Sequence, residues 1–135
     1  MNNTIVNQNS NPHINIVFIC DENYVIPTAV SMFSLIKNKR SNAFYSIYFV
    51  CSSLSSKSEN YLTSFAKDDV HITVIRQDVS KVANLHTHVD NSPCVASVSA
   101  LLKFYLPELL HHLDRVLYLD GDLLVLEDIT SLYNT

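Results

Sequence analysis

Residues 116–125 read Val-Leu-Tyr-Leu-Asp-Gly-Asp-Leu-Leu-Val, an apolar run that two carboxylates, Asp120 and Asp122, interrupt. An isolated carboxylate is costly to remove from water, so such a pair must either turn into solvent or hold a cation. Gly121, the single glycine of the chain, permits a bend that can bring both side chains onto one ion. The stretch therefore predicts a buried strand that ends at a site for Mg²⁺, Mn²⁺ or Ca²⁺.

The same residues also fit a hairpin, in which Asp120-Gly121 is the tip between residues 115–119 and residues 123–126. Neither flank alternates apolar with polar side chains, however. Both flanks resemble strands that are buried on two faces, which is typical of a parallel or mixed sheet covered by helices. The pattern favours an α/β sheet over the hairpin.

Composition limits the classes of function. The chain has 135 residues, the length of one domain, and 47% hydrophobic residues are enough to build a core. Its net charge of −4 leaves no basic surface for nucleic acid, although a metal can bridge an anionic ligand. Cys20, Cys51 and Cys94 are odd in number and widely spaced, which indicates buried, reduced thiols in a cytosolic protein. We expect the Asn-rich residues 1–14 to be a flexible tail, with no signal peptide or membrane span in the chain.

Apolar periodicity predicts an alternation of strands and helices. The expected strands cover residues 15–20, 45–51 and 70–75 and begin again at residue 115. The expected helices begin near Pro27, at the capping-box spacing of Ser56 to Glu59, and near residue 96. The last one is expected to be broken or kinked at Pro107 and to resume to His112. The first helix has its apolar positions at Ile26, Val30, Phe33 and Ile36. This order predicts an α/β fold, a doubly wound sheet with helices on both faces.

Two polar clusters follow strands of the predicted sheet. The first strand is followed by Asp21-Glu22-Asn23-Tyr24 and the fourth by Asp120-Gly121-Asp122. Because such sheets bind ligands at the carboxyl ends of their strands, both clusters are expected at one edge, where a site would form. The alternative for the first cluster is a loop that only caps the next helix.

The histidines are not assigned to this site. His86 and His88 have the spacing of metal ligands, but they fall in an irregular stretch, where we expect surface histidines. His111 and His112 are expected to finish a helix.

Three segments together make the chain resemble glycosyltransferase family 8, which includes bacterial lipopolysaccharide galactosyl- and glucosyltransferases and glycogenin. The segments are residues 15–24 (NIVFICDENY), 99–110 (SALLKFYLPELL) and 114–122 (DRVLYLDGD), in this order and at the family's spacing. The resemblance covers residues 15–135. It implies a GT-A fold, which is an open, mostly parallel Rossmann-like sheet. It also implies a donor that is usually a UDP-sugar, a Mn²⁺ cofactor with Mg²⁺ as the alternative, and transfer to a saccharide acceptor with retention of anomeric configuration.

The resemblance also implies roles for individual residues. In the donor-binding segment, Asp21 would bind the uracil, Asn23 the ribose or diphosphate side, and Tyr24 would stack on the base, with Glu22 beside them. Asp120 and Asp122 would hold the metal, with Gly121 between them, and Asp120 would also approach the ribose.

One position departs from the family, which commonly has Arg where this chain has Lys103, on the helix before the metal strand. Lysine keeps the positive charge but loses the fork geometry for a diphosphate. Family members also continue past the position of Thr135 into the acceptor site and a His-x-x-Gly-x-x-Lys segment, which supplies a third metal ligand. We therefore expect the donor-binding part alone, with no catalytic residue assigned.

Two other functions fit parts of the pattern. An apolar strand that ends in Asp-x-Asp also opens the phosphatases with an aspartyl nucleophile, but Leu124 stands where those enzymes need Thr. The other is a noncatalytic module that binds a nucleotide sugar. The expected location is the cytoplasm, with peripheral association at the inner face of the membrane as the alternative for a longer form.

Overall fold

The computed structural model describes residues 11–78, 80 and 102–135 of the chain. The strands are β1 (His13–Ile19), β2 (Phe44–Cys51), β3 (Val70–Arg76) and β4 (Leu117–Leu119). The helices are α1 (Val25–Asn38), α2 (Ser56–Thr63), α3 (Leu106–Leu109) and α4 (Thr130–Tyr133), with 3₁₀ turns at Glu22–Tyr24 and Leu102–Tyr105. β1 begins two residues before the predicted strand, so His13 and Ile14 belong to the sheet and not to the tail.

The four strands form one parallel sheet in the order β3-β2-β1-β4. α1 carries the chain from β1 to β2, and α2 carries it from β2 to β3. β4 lies on the opposite side of β1, where Phe18 pairs with Leu119. The carboxyl ends of β1 and β4 are therefore neighbours at the point where the strand order reverses, which is where doubly wound sheets bind ligands. The predicted α/β fold is confirmed.

Apolar side chains fill both faces of this sheet. One face, with the fully buried Phe18 and Tyr45, packs against α1 and α2. The other face packs Val17 against Leu102 and Leu110, beside α3. Continuous apolar runs in β1 and β2 predict this arrangement, because a strand covered on two faces has no polar side to expose. Within the residues that the structure describes, no helix combines the length and the hydropathy needed to cross a membrane.

Cys20 and Cys51 are buried thiols, as the sequence predicts. Burial is the main reason that the pKa of Cys20 is raised to about 11. The thiol stays protonated at neutral pH and is therefore a poor nucleophile. Cys94, together with His86 and His88, lies outside the described residues.

The buried face of α1 differs from the predicted one. Ile26, Val30 and Phe33 are 62, 50 and 51% exposed. The apolar residues that α1 buries are Val25, Ala29, Met32, Leu35 and Ile36. Both sets recur at helical spacing because α1 is apolar around most of its circumference, so periodicity cannot choose between them. The prediction was right only for Ile36.

The start of α2 is also shifted from the predicted capping box. Ser55, one residue earlier, is the N-cap, and its side chain accepts the Ser58 N–H at 3.2 Å. Glu59 forms an ion pair with Arg76 of β3 and does not close the box. The carboxylate is thus engaged by a cation of the neighbouring strand, a charge-assisted contact that is stronger than a bond to a neutral backbone donor.

The third helix ends earlier than predicted. Its expected residues 96–101 lie outside the described part of the chain. Pro107 lies in the first turn of α3, where its missing N–H costs no hydrogen bond, so it begins a helix and does not kink one. The extension to His112 is wrong, since α3 ends at Leu109 and both His111 and His112 are exposed beyond it.

The hairpin interpretation of Asp120-Gly121 is wrong. Gly121 and Asp122 do form a turn, but residues 123–126 are not a strand and do not pair with β4. β4 is the last strand of the described sheet, and Tyr118 is 36% exposed. The expectation that both flanks of the turn are strands buried on two faces is therefore wrong as well.

Candidate functional site

Asp120, Gly121 and Asp122 follow β4 at its carboxyl end, and both carboxylates are exposed. The turn lies against α1. A Cβ atom added to Gly121 would stand 2.4 Å from Oγ1 of Thr28, which is closer than real contacts allow. Thr28 is fully buried and cannot swing into solvent. The glycine is therefore required by the close approach of α1, which fixes where the two carboxylates stand.

Polar side chains of α1 hold the residues that follow the turn. Ser31 Oγ donates to the carbonyl oxygen of Leu123 and accepts the Leu123 N–H at 3.1 Å. The Val125 N–H donates to Ser34 Oγ at 2.9 Å, and Asn38 Nδ2 donates to the Val125 carbonyl at 2.8 Å. Side chains of a helix, and not the backbone of a neighbouring strand, thus form the hydrogen bonds of the backbone after the turn.

The loop after β1 carries the second polar cluster. Asp21 Oδ1 accepts the N–H of Asn23 at 2.9 Å and the N–H of Tyr24 at 3.1 Å, which caps the 3₁₀ turn. The side chains of Asn23 and Tyr24 are exposed, Tyr24 to 51%. The capping interpretation of this cluster is correct for Asp21, and it leaves two ligand-capable side chains exposed after the carboxyl end of β1.

Glu22 points to α2. The Ser55 N–H donates to Glu22 Oε2 at 2.9 Å, and the hydroxyls of Ser55 and Ser58 donate to Oε1 at 2.9 and 2.6 Å. The hydrogen bond from Ser58, followed by those from Ser55, lowers the pKa of Glu22. Both oxygens are engaged by the chain itself, so Glu22 ties the loop after β1 to the start of α2.

Tyr118 of β4 reaches back to the acidic turn. Its hydroxyl donates to Asp120 Oδ1 at 2.6 Å. Burial, and then this hydrogen bond, raise the pKa of Tyr118, so the hydroxyl remains a proton donor at neutral pH. Among the described residues no other group hydrogen-bonds the Asp120 carboxylate, and none bonds that of Asp122.

Lys103 lies on the 3₁₀ turn before α3, and it is exposed. It lines a cavity of about 250 Å³ on the α3 side of the sheet. The other lining residues are Leu106, Pro107, Leu110, Val116 and Tyr118. The cavity thus borders both Lys103 and the tyrosine that bonds Asp120.

The two carboxylates of the acidic turn provide part of the coordination that a hard cation needs. Carboxylate oxygens suit Mg²⁺ and Mn²⁺, and in the described chain neither Asp120 nor Asp122 is paired with a cationic side chain. The described residues contain no group of three or more His, Cys, Asp or Glu side chains that could hold a metal. Two carboxylates fill only part of an octahedral sphere, so a cation here needs further oxygens, as a diphosphate supplies.

Sequence reasoning missed the residues that support this site. They are Thr28, Ser31, Ser34 and Asn38 on α1, together with Tyr118 on β4. The sequence did contain a signal for the residues on α1, namely polar side chains three or four residues apart in an otherwise apolar helix. A helix face that only packs against a core carries apolar side chains at such positions.

A doubly wound parallel sheet with a polar loop and an acidic turn at its switch point defines an α/β protein with a candidate ligand site at the carboxyl edge. The model of glycosyl transferase family 8 matches residues 15–135, and the chain belongs to that family. Membership of this family contradicts the phosphatase interpretation.

Solved glycosyltransferase structures share the fold. The WbbM bifunctional glycosyltransferase has a TM-score of 0.73 at 22% identity, over 96% of this chain and 22% of that chain. An active-site mutant of LgtC has a TM-score of 0.73 at 20% identity, over 90% of this chain and 42% of that chain. Mouse xyloside xylosyltransferase 1 has a TM-score of 0.61 at 15% identity, over 90% of this chain and 48% of that chain. These likenesses establish the GT-A fold.

This chain spans less than half the length of each of those structures. A comparison with curated protein sequences gives no significant match.

Proposed function

We propose that the chain forms the donor-binding part of a metal-dependent hexosyltransferase, which transfers sugar from a UDP-sugar to a saccharide acceptor with retention. The acceptor would be lipopolysaccharide or a related glycan. One observation carries the proposal, namely that the Asp21–Tyr24 loop and the Asp120–Asp122 turn follow adjacent parallel strands at the switch point. Family membership supports glycosyl transfer. The structural neighbour LgtC is a galactosyltransferase that was solved with donor and acceptor sugar analogs.

The charges of the site support a cation. The loop and the turn carry the carboxylates of Asp21, Glu22, Asp120 and Asp122, whereas a nucleotide sugar carries a diphosphate. Like charges repel, so the donor needs a divalent cation between its diphosphate and the turn. Asp120 and Asp122 would hold Mn²⁺ or Mg²⁺, which when bound stabilises the charge of the departing diphosphate as a Lewis acid.

The remaining residues bind and orient the donor. Tyr24 offers an exposed ring for stacking on the uracil. The family resemblance assigns the contact with the uracil N–H to Asp21. Asn23 offers an amide to the ribose or diphosphate side. Lys103 contributes positive charge toward the diphosphate from the cavity side of β4.

Calorimetry with UDP, Mn²⁺ and both together tests the cation bridge. UDP should bind about tenfold more tightly with Mn²⁺, because its diphosphate oxygens complete the coordination of the two carboxylates. Asp122→Asn should remove this gain. The matched control Asp114→Asn, an exposed carboxylate before β4, should keep it. Equal UDP affinity with and without Mn²⁺ in the parent chain would contradict the bridge.

A second titration tests Lys103 with UDP-glucose and UDP-galactose as probes. Lys103→Met should weaken binding by roughly 1 to 3 kcal/mol, the usual cost of a lost charge-assisted contact, and Lys103→Arg should keep or tighten it. Lys67→Met, which removes an exposed charge from the turn before β3, is the control. If Lys103→Met binds as the parent does, Lys103 is a solvated position.

Donor binding and sugar transfer are separate properties of this proposal. The described residues contain two carboxylates that could hold a metal and no group of three, so the second candidate is a module that binds the nucleotide sugar without transferring it. A radiolabelled UDP-sugar assay with a saccharide acceptor separates the two. Turnover supports the enzyme, and Mn²⁺-dependent UDP binding without turnover supports the module.

We also propose a cytoplasmic location on the basis of the cysteines. Cys20 and Cys51 are free, buried thiols near the carboxyl ends of neighbouring strands, a state that a reducing compartment preserves.

A further inference from the structure

Asp120 and Asp122 differ in how the described chain holds them. Oδ1 of Asp120 accepts the Tyr118 hydroxyl at 2.6 Å, whereas no described group hydrogen-bonds Asp122. A short hydrogen bond to a carboxylate is charge-assisted and directional. Asp120 is therefore oriented before any ligand arrives, and Asp122 retains its rotamers.

The position of Tyr118 explains why it can play this part. Residues two apart on a strand face the same side, so Tyr118 and Asp120 leave β4 in the same direction. The ring of Tyr118 forms part of the wall of the cavity that Lys103 also lines. The side chain thus borders a cavity, and its hydroxyl is aimed at a carboxylate.

We propose that Tyr118 is a positioning residue for the cation at the acidic turn. Its hydroxyl binds Oδ1 of Asp120 and turns the remaining lone pairs of that carboxylate toward the metal. Groups that hydrogen-bond a metal ligand fix its orientation, and their loss typically reduces metal affinity about 10- to 100-fold. The inference rests on the proposed function, because it requires a cation at Asp120.

Mn²⁺ titrations of the 135-residue chain, followed by the electron paramagnetic resonance of the unbound ion, test this role. Tyr118→Phe keeps the ring that lines the cavity and removes only the hydroxyl. We expect its Kd for Mn²⁺ to rise about tenfold. Tyr61→Phe, which removes an exposed hydroxyl from α2, is the matched control and should bind Mn²⁺ as the parent does.

A second measurement reports on the contact itself. Mg²⁺ added to the parent should change the ultraviolet absorption of tyrosine, because the ion alters the carboxylate that Tyr118 bonds. Tyr118→Phe should lack this change and Tyr61→Phe should retain it. The spectrum separates a positioning role from a general loss of stability, which melting of both variants also measures.

The outcomes are distinguishable from those of the proposed function. A Kd for Tyr118→Phe within twofold of the parent, or a tyrosine difference spectrum that survives the substitution, overturns the positioning role and leaves the metal site standing. A parent chain that binds no Mn²⁺ in the presence or absence of UDP overturns both.

Discussion

At the scale of single residues, the site depends on a contact that sequence patterns do not contain. Gly121 lies in a turn, yet its φ is outside the left-handed region that favours glycine. What the position cannot accept is a side-chain atom, because Thr28 fills the space. The two carboxylates are thus located by a packing contact between α1 and the turn.

Gly121→Ala should destabilise the chain by about 1 to 3 kcal/mol, the usual cost of overpacking a tight contact. Urea unfolding measures the loss. In the background of Thr28→Ala, which removes Oγ1, the same substitution should cost less, since the two positions are in contact. An equal cost in both backgrounds would mean that Thr28 is not what excludes the side chain.

The residues that the sequence identified are those whose chemistry stands out locally. Asp21, Asp120 and Asp122 interrupt or follow apolar runs. Burying a carboxylate is costly, so a charged residue in such a place can be recognised as a candidate site residue without knowledge of the fold. Thr28 and Tyr118 are ordinary members of their elements. Thr28 meets a turn that is distant in the chain, and only the fold shows this contact. Tyr118 bonds a residue two positions on, but the alternation of side chains alone does not show that its hydroxyl meets the carboxylate.

At the scale of elements, the loop after β1 owes its position to α2. The three hydrogen bonds of Glu22 connect the loop to Ser55 and Ser58, at the helix start that follows the neighbouring strand. Glu22 is predicted to bind the donor, and its contacts support an indirect contribution through the placement of Asn23 and Tyr24.

Glu22→Ala should weaken UDP binding in the presence of Mn²⁺ by about 1 kcal/mol, because it releases the loop. Ser58→Ala, outside the loop, removes one of the three hydrogen bonds and should have a smaller effect. The double variant should lose little more than Glu22→Ala alone, since that substitution already removes the bond to Ser58. Glu127→Ala, an exposed carboxylate elsewhere, is the control. Additive losses in calorimetry would show that Glu22 contacts the donor directly.

The elements themselves were predictable to different degrees. β1, β2 and β3 were found within two residues because buried parallel strands give unbroken apolar runs. The buried face of α1 was not predicted correctly. Most of the helix surface is apolar, so the sequence shows no difference between an apolar and a polar face from which periodicity could identify the buried one. Residues 123–126 looked like a strand but bond to helix side chains, a pairing that no local pattern encodes.

At the scale of the whole molecule, Asp128 connects two distant segments of the chain, at the edge of the sheet opposite the candidate site. Its carboxylate accepts the backbone N–H groups of Arg40 at 2.6 Å, Ser41 at 2.8 Å and Thr130 at 2.8 Å. Burial alone would raise its pKa. The hydrogen bonds from Thr130, Arg40 and Ser41 together outweigh that effect and hold the pKa of Asp128 well below its ordinary value of 3.8.

A lowered pKa in the folded chain means that the ionised carboxylate stabilises the fold above the ordinary value, and that this contribution is lost as the pH falls below it. The free energy of unfolding should therefore drop on acidification from pH 5 downward. Asp128→Asn should be less stable at pH 7, on the order of 1 to 3 kcal/mol, and less sensitive to acid. Urea unfolding across this pH series measures both, and parallel pH curves would contradict the assignment.

The hydrogen bonds between α1 and the residues after the acidic turn also set an order of events in folding. Ser31 and Leu123 are 92 residues apart in the chain, so their contact closes a very long loop. β1, α1 and β2 can associate while the last quarter of the chain is still unfolded or unsynthesised, because their contacts are local. We therefore expect the candidate site to be among the last parts to form. A ligand at the turn should accordingly retard unfolding far more than it accelerates refolding.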